Sequence, residues 1–275
     1  MLWILQNNLY NERGYGELIE ILNRLDLPIL FVKPVPFTDK VISADLDPSQ
    51  FDDINLAPDV PDPVEPAIVM GTYTLAKIAH KRGWKPGSFL DNLNYEIWSR
   101  QWGDLVLNPT AQVCRFAYVS IINSKFIRPT EDSKSFAGKV FSVDDWINWS
   151  GSVLAAATDS DPLNANTEVM VYDPVEIHTE TRIWVVNGKI ATYSQYKRGS
   201  TVHYSPTVDL EVLEFAERVL DMWYPNKAFV LDVAQTPLGC RVVEVNCLNA
   251  AGFYAGDMGK LVAALEGILE AEVIV

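Results

Sequence analysis

Ala228-Phe-Val-Leu-Asp232-Val-Ala234 and Cys240-Arg-Val-Val-Glu244-Val-Asn246, joined by Gln235-Thr-Pro-Leu-Gly239, are two apolar stretches around a short turn and predict a β-hairpin. Side chains alternate along an extended chain, so Val230, Asp232 and Ala234 share one face, as do Val242, Glu244 and Asn246 on the return strand. With Ala234 opposite Val242, Asp232 lies opposite Glu244. Two facing carboxylates repel. A hard divalent cation bridged to phosphate oxygens relieves them, because Mg²⁺ takes one or two carboxylates together with substrate oxygens. The plainer alternative is a hairpin whose acidic side chains point to solvent.

The rest of the chain bounds that reading. Its 275 residues suit one large domain or two modest ones, with ample apolar content for a core. Acidic residues outnumber basic ones 36 to 22, a net charge of -14, so no global field draws the chain to nucleic acid or to an anionic membrane. Cys114, Cys240 and Cys247 are odd in number and lack Cys-x-x-Cys spacing, which argues for a reducing compartment and against zinc. His80, His178 and His203 are scattered singly. No apolar run reaches about 18 residues, and the N-terminus lacks the basic region of a signal peptide. The chain therefore reads as cytoplasmic, with no membrane partner.

Leu2 to Gln6, the helical spacing of Leu18, Ile19, Leu22 and Leu25, and the apolar run 28–33 make a β-α-β start. A loop with five prolines spans 44–66, then 67–71 reads as a strand and 72–82 as a helix, so residues 1–107 form a small α/β unit. From Gln112 the pattern changes to strands joined by tighter turns: 113–122, 125–128 and 168–172. A helix opens at Ser142 with a capping-box-like arrangement and carries Trp146, Trp149 and Val153 on one face. Asn187-Gly188 between 181–186 and 189–196 is the clearest hairpin signal, and 209–223 and 256–269 read as amphipathic helices. Hairpins alternating with single helices fit an α+β domain.

Three further stretches carry candidate chemistry. The loop from Arg128 through Ser133, Lys134 and Ser135 to Lys139 combines hydroxyls with three cations, a composition that suits phosphate; an ordinary solvated loop has the same composition. Glu180 and Arg182 share a strand face just after the extended segment Met170, Val171 and Tyr172. A carboxylate there can accept both hydroxyls of a ribose, although the two side chains also suit a simple ion pair. Lys197 and Arg198 end the return strand.

In this order the pieces resemble the ATP-grasp superfamily, in particular its phage and bacterial group of carboxylate-amine ligase-like proteins. The resemblance covers residues 108–275, and residues 1–107 resemble the α/β domain that precedes the ATP-grasp domain in such proteins. The 12-residue separation of the carboxylates (244 − 232), followed by Glu-x-Asn, is similar to the metal motif of D-alanine:D-alanine ligases. Arg128 stands where most relatives have lysine, and Ser133-Lys134-Ser135 replaces a glycine-rich stretch. The resemblance implies an α+β ATP-grasp fold, two lobes of about 108–170 and 171–275 clasping ATP, after a small α/β pre-ATP-grasp domain. It implies adenine against the backbone of Met170, Val171 and Tyr172, and Glu180 on the ribose. Arg128, Lys134, Lys139 and Lys197 would surround the phosphates, and Asp232, Glu244 and Asn246 would hold Mg²⁺. Asn249 and Gly252 would bind a substrate carboxylate. Arg182, Lys197 and Arg198 form the implied catalytic set, with Arg182 and Arg198 on an acyl phosphate. The activity implied is ATP- and Mg²⁺-dependent joining of a small-molecule or peptide carboxylate to an amine, with release of ADP and phosphate. An ATP-binding regulatory module without ligase activity and a small-molecule kinase share the same residues.

Overall fold

Leu2–Gln6 is apolar at almost every position, as a strand must be when both faces of its sheet are covered. In the computed structural model, which describes residues 1–7, 9, 12–46, 53, 56–130 and 135–269, it forms β1, the centre of a five-stranded sheet. The order is β3 (Val41–Ser43), β2 (Ile29–Pro34), β1, β4 (Ala67–Met70), β5 (Pro86–Gly87); only β3 runs antiparallel to its neighbour. Helices α1 (Tyr15–Arg24) and α2 (Tyr73–Lys81) accompany this sheet. The chain leaves β1 for β2 on one side and later adds β4 on the other, so the ends of β1 and β4 open a crevice. Helix α3 (Tyr95–Trp102) belongs elsewhere: Trp98 and Trp102 pack with the second lobe.

A four-stranded antiparallel sheet follows, in the order β6 (Gln112–Arg115), β9 (Glu168–Tyr172), β7 (Lys125–Pro129), β8 (Lys139–Phe141). The expected strand over 113–122 stops at Arg115. Phe116–Tyr118 turns as a 3-10 helix, which buries Phe116 against Trp146 at 5.1 Å. Helix α4 (Val143–Ala156) is capped by Ser142, whose Oγ accepts from the Asp145 N–H at 3.2 Å.

The largest sheet is antiparallel throughout: β12 (Thr201–Ser205), β11 (Lys189–Arg198), β10 (Thr179–Val186), β13 (Ala228–Thr236), β14 (Gly239–Asn246). Asn187 and Gly188 take φ of 50° and 70°, the left-handed pair that a two-residue hairpin requires. Strand alternation divides the apolar side chains between two cores. Ile183, Val185, Phe229, Leu231 and Val233 face α3 and α5 (Leu210–Met222). Trp184, Val186, Ala228 and Val230 face α1 and α6 (Met258–Glu266). The second face continues, beyond the cover of α6, into Glu180, Arg182 and Asp232, so one strand phase supplies first core and then cleft.

Asp232 does pair with Glu244, but the next pair is Val233 with Val242. Val243 is therefore the extra residue of a β-bulge, and Ala234 lies opposite Arg241 rather than Val242. The bulge turns Val242 away from the face of Glu244 and into the core with Val245. Among the described residues no helix is long and apolar enough to cross a membrane.

Candidate active site

Both hairpin carboxylates already have a guanidinium partner. Asp232 is fully buried, and its two oxygens accept a side-on fork from Arg182, Nε at 2.9 Å and Nη2 at 2.8 Å. Glu244 is reached from the other lobe: Arg128 Nη1 on β7 donates to Glu244 Oε2 at 2.5 Å, and Arg128 Nη2 to the bulge carbonyl of Val243 at 3.3 Å. Asn246 Nδ2 donates to Glu244 Oε1 at 2.8 Å and lies 3.4 Å from Asp232 Oδ2. The repulsion between the carboxylates is thus relieved by arginines within the protein itself. Burial pushes Asp232 up to about 7 despite the Arg182 fork, and the Glu244 charge adds to the rise. Burial also works upward on Glu244, but there the Arg128 guanidinium and the Asn246 amide outweigh it and hold the carboxyl below its usual range. Arg182 is penalised by burial, yet Asp232 more than compensates and its cation is reinforced.

Two cavities meet at the Arg128–Glu244 pair, since both residues and Gly138 line each of them. One, of about 240 Å³, is walled by Phe126, Tyr172, Val175 and Ile177, with Glu180 and Lys197 at its polar side. Glu180 Oε1 accepts from Lys197 Nζ and Oε2 from the Tyr196 hydroxyl, both at 2.6 Å. Of the expected adenine contacts only Tyr172 lines this space, stacked on Phe126 at 4.9 Å. Met170 and Val171 are buried within the sheet, their backbones paired with strands on both sides. Met170 instead offers its sulfur to Arg128 Nε at 3.0 Å. The other cavity, of about 520 Å³, contains Arg182, Asn246, Gly252 and Tyr254 together with Glu12 from the N-terminal unit.

The remaining sequence candidates separate. Lys139 is exposed on β8, its ammonium 4.6 Å from the Phe141 ring, and Arg198 is exposed at the end of β11; neither lines a cavity, because strand alternation turns Arg198 away from Lys197. Lys134 and Ser133 lie outside the described residues. Gly252 contributes its carbonyl, 3.5 Å from Arg182 Nη1, and a Cβ there would stand 2.7 Å from Glu12 Oε1. Asn249 is no free substrate ligand. Its amide donates to the carbonyls of Val69 and Gly87 at 2.8 and 3.0 Å and accepts from the Phe89 N–H at 2.9 Å, which ties the second lobe to the N-terminal sheet. Removing a buried partner strands the groups left behind, at about 1–3 kcal/mol each. Asn249→Ala is therefore expected to lower the urea midpoint markedly, whereas an unchanged midpoint would show that the tie contributes nothing.

Sequence reasoning misses the aromatic wall of the larger cavity. Tyr254, at φ of 51°, has the Arg182 guanidinium 4.7 Å from its ring and stacks between Tyr196 and Tyr204 at 5.1 and 5.0 Å. Glu12 escapes it as well, because its place depends on the crevice between β1 and β4. Among the described residues its carboxylate has no hydrogen-bond partner.

The donor set at the hairpin is all oxygen, two carboxylates and a carboxamide, which suits a hard divalent cation such as Mg²⁺. Glu244 is 31% exposed at the cleft, and Asn246 Oδ1 accepts no bond among the described residues. No group of three or more His, Cys, Asp or Glu side chains able to hold a metal occurs among those residues, so a cation here must complete its shell with water and phosphate oxygens.

Two lobes built on antiparallel sheets, closing on a cleft with this donor set at its centre, are an ATP-grasp fold. The chain belongs to an ATP-grasp domain family, the third of its clade, whose family model matches residues 31–265. Solved structures agree on the fold. A RimK domain ATP-grasp protein from Sphaerobacter thermophilus DSM 20745 superimposes with a TM-score of 0.60 at 17% identity, over 100% of this chain and 99% of that one. A D-alanine–D-alanine ligase from Bacillus anthracis complexed with ATP gives 0.59 at 11%, over 98% and 97%. D-cycloserine synthetase DcsG gives 0.60 at 13%, over 96% and 98%. No curated protein matches the chain.

Proposed function

We propose that this protein is an ATP- and Mg²⁺-dependent carboxylate-amine ligase. The observation that carries the reading is the junction of the two cavities, where Arg128 and Arg182 meet Asp232, Glu244 and Asn246. Phosphoryl transfer needs positioning and charge neutralisation rather than a nucleophilic side chain, and these residues supply both. In the proposed arrangement the adenine lies against Tyr172 and the apolar wall of the smaller cavity, with Glu180 on the ribose. Arg128, Lys197 and Lys134 surround the phosphates. Asp232, Glu244 and Asn246 would hold Mg²⁺, which when bound neutralises phosphate charge. A substrate carboxylate oxygen attacks the γ-phosphorus and the bond to ADP breaks, leaving an acyl phosphate whose oxygens face Arg182. The amine then attacks the carbonyl carbon, loses a proton, and inorganic phosphate departs. Glu12 stands where the amine, arriving as an ammonium, would find a counter-charge.

One observation favours a second reading, an ATP-binding module without ligase activity: both carboxylates already have guanidinium partners. The assay separates the two. Pools of amino acids, polyamines and short peptides are expected to release ADP and phosphate, and hydroxylamine to trap the activated acid as a hydroxamate. Release of AMP would exclude the ligase, a stable phosphomonoester product would indicate a kinase, and tight nucleotide binding without turnover in any pool would favour the module.

A further inference from the structure

The Arg128–Glu244 pair is the link between the lobes at the point where both cavities meet, and the inference drawn from it rests on the nucleotide reading above. Each partner has what one half of a metal–nucleotide complex seeks. A polyphosphate seeks the guanidinium, and a divalent cation seeks the carboxylate. Either ligand alone leaves a charge behind. Phosphate without metal draws Arg128 away and leaves Glu244 facing Asp232 with only the Asn246 amide. Metal without phosphate takes Glu244 and leaves a guanidinium that cannot lose its proton, its side chain 15% exposed, with the Val243 carbonyl and the Met170 sulfur as remaining acceptors. A ligand carrying both signs replaces both partners in one step.

The second pair does not exchange in this way. Arg182 and Asp232 sit opposite each other on adjacent strands of one sheet, and their fork is buried. Arg128 instead reaches across from β7, its stem pressed by the backbone of Gly138, where a Cβ would stand 2.7 Å from Arg128 Cβ. We propose that Arg128 is a specificity-determining residue: it occupies Glu244 until a polyphosphate takes its guanidinium, so that the cleft selects the metal–nucleotide complex over either component.

Coupling between two ligands is reciprocal, and typical values are about 5- to 150-fold. The test measures Mn²⁺ binding by electron paramagnetic resonance with and without a non-hydrolysable ATP analogue, and analogue binding by calorimetry with Mg²⁺ or with EDTA. In the wild type each ligand is expected to tighten the other by about tenfold or more. Arg128→Met should tighten Mn²⁺ binding in the absence of nucleotide, and Glu244→Gln should tighten the analogue in EDTA; together they also guard against a fault peculiar to one variant, whose fold is checked by circular dichroism. Wild-type protein that binds Mn²⁺ alone as well as it does with analogue overturns the inference, as does Arg128→Met with unchanged Mn²⁺ affinity. If the wild type binds the analogue under neither condition, the nucleotide reading falls too, so the two failures are distinct.

Discussion

Asp232→Asn is expected to destabilise the ligand-free protein by about 3–5 kcal/mol, the usual cost of removing one partner from a buried ion pair. Considered as half of a facing carboxylate pair, Asp232 predicts the opposite sign, because its removal would relieve repulsion. The Arg182 fork reverses that balance: the guanidinium remains charged and its side chain is only 9% exposed. For a chain of this size the thermal midpoint should fall by about 2–4 °C per kcal/mol, and urea denaturation gives the free energy directly. Replacing both partners with apolar residues, Asp232→Leu with Arg182→Met, should recover much of the loss, because a well-packed apolar pair dispenses with the desolvation of both charges. A midpoint unchanged in Asp232→Asn would mean that the pair is not formed in solution.

Glu244→Gln separates chemistry from folding. Glu244 is partly exposed, and Arg128 keeps the Val243 carbonyl when the carboxylate is gone, so stability should change little. Turnover should nevertheless fall roughly 10²- to 10³-fold, since a metal held at the transferring group contributes several kcal/mol. ADP release in a pool that supports the wild type is the measurement, and wild-type turnover in this variant would remove Glu244 from the proposed site.

These two carboxylates also mark how much of the site is legible in the sequence. Alternating apolar positions around a Pro-Leu-Gly turn are enough for the hairpin and for the pairing of Asp232 with Glu244. The bulge is not legible, because one extra residue leaves only a faint trace, Val242 and Val245 apolar on either side of Glu244. The partners of the carboxylates are hidden for a different reason. Arg182 is 50 residues from Asp232 and Arg128 is 116 from Glu244, and their meeting depends on strand order and lobe closure, which no local period records. Helix α3 escapes the periodicity reading although Asn94 caps it and Tyr95, Trp98 and Trp102 recur at helical spacing; at eight residues it is short. The expected adenine segment fails because a run like Met170–Tyr172 reads equally as linker or central strand, and paired neighbours on both sides decide for the strand.

The sharing of one strand phase between core and cleft restricts how this family can vary. On β10 and β13 the residues that seat α6 and those that meet the carboxylates belong to the same alternating series. A one-residue deletion in β10 between Glu180 and Trp184 would therefore not merely shift a side chain along the cleft. It would exchange inside for outside, pointing a guanidinium at α5 or a tryptophan at solvent. Length changes are admissible at the Gly199-Ser200 turn, where the hairpin ends in solvent, while within the strands they must come in twos. A library of single and paired codon deletions across 179–186, scored for soluble expression, should show that parity.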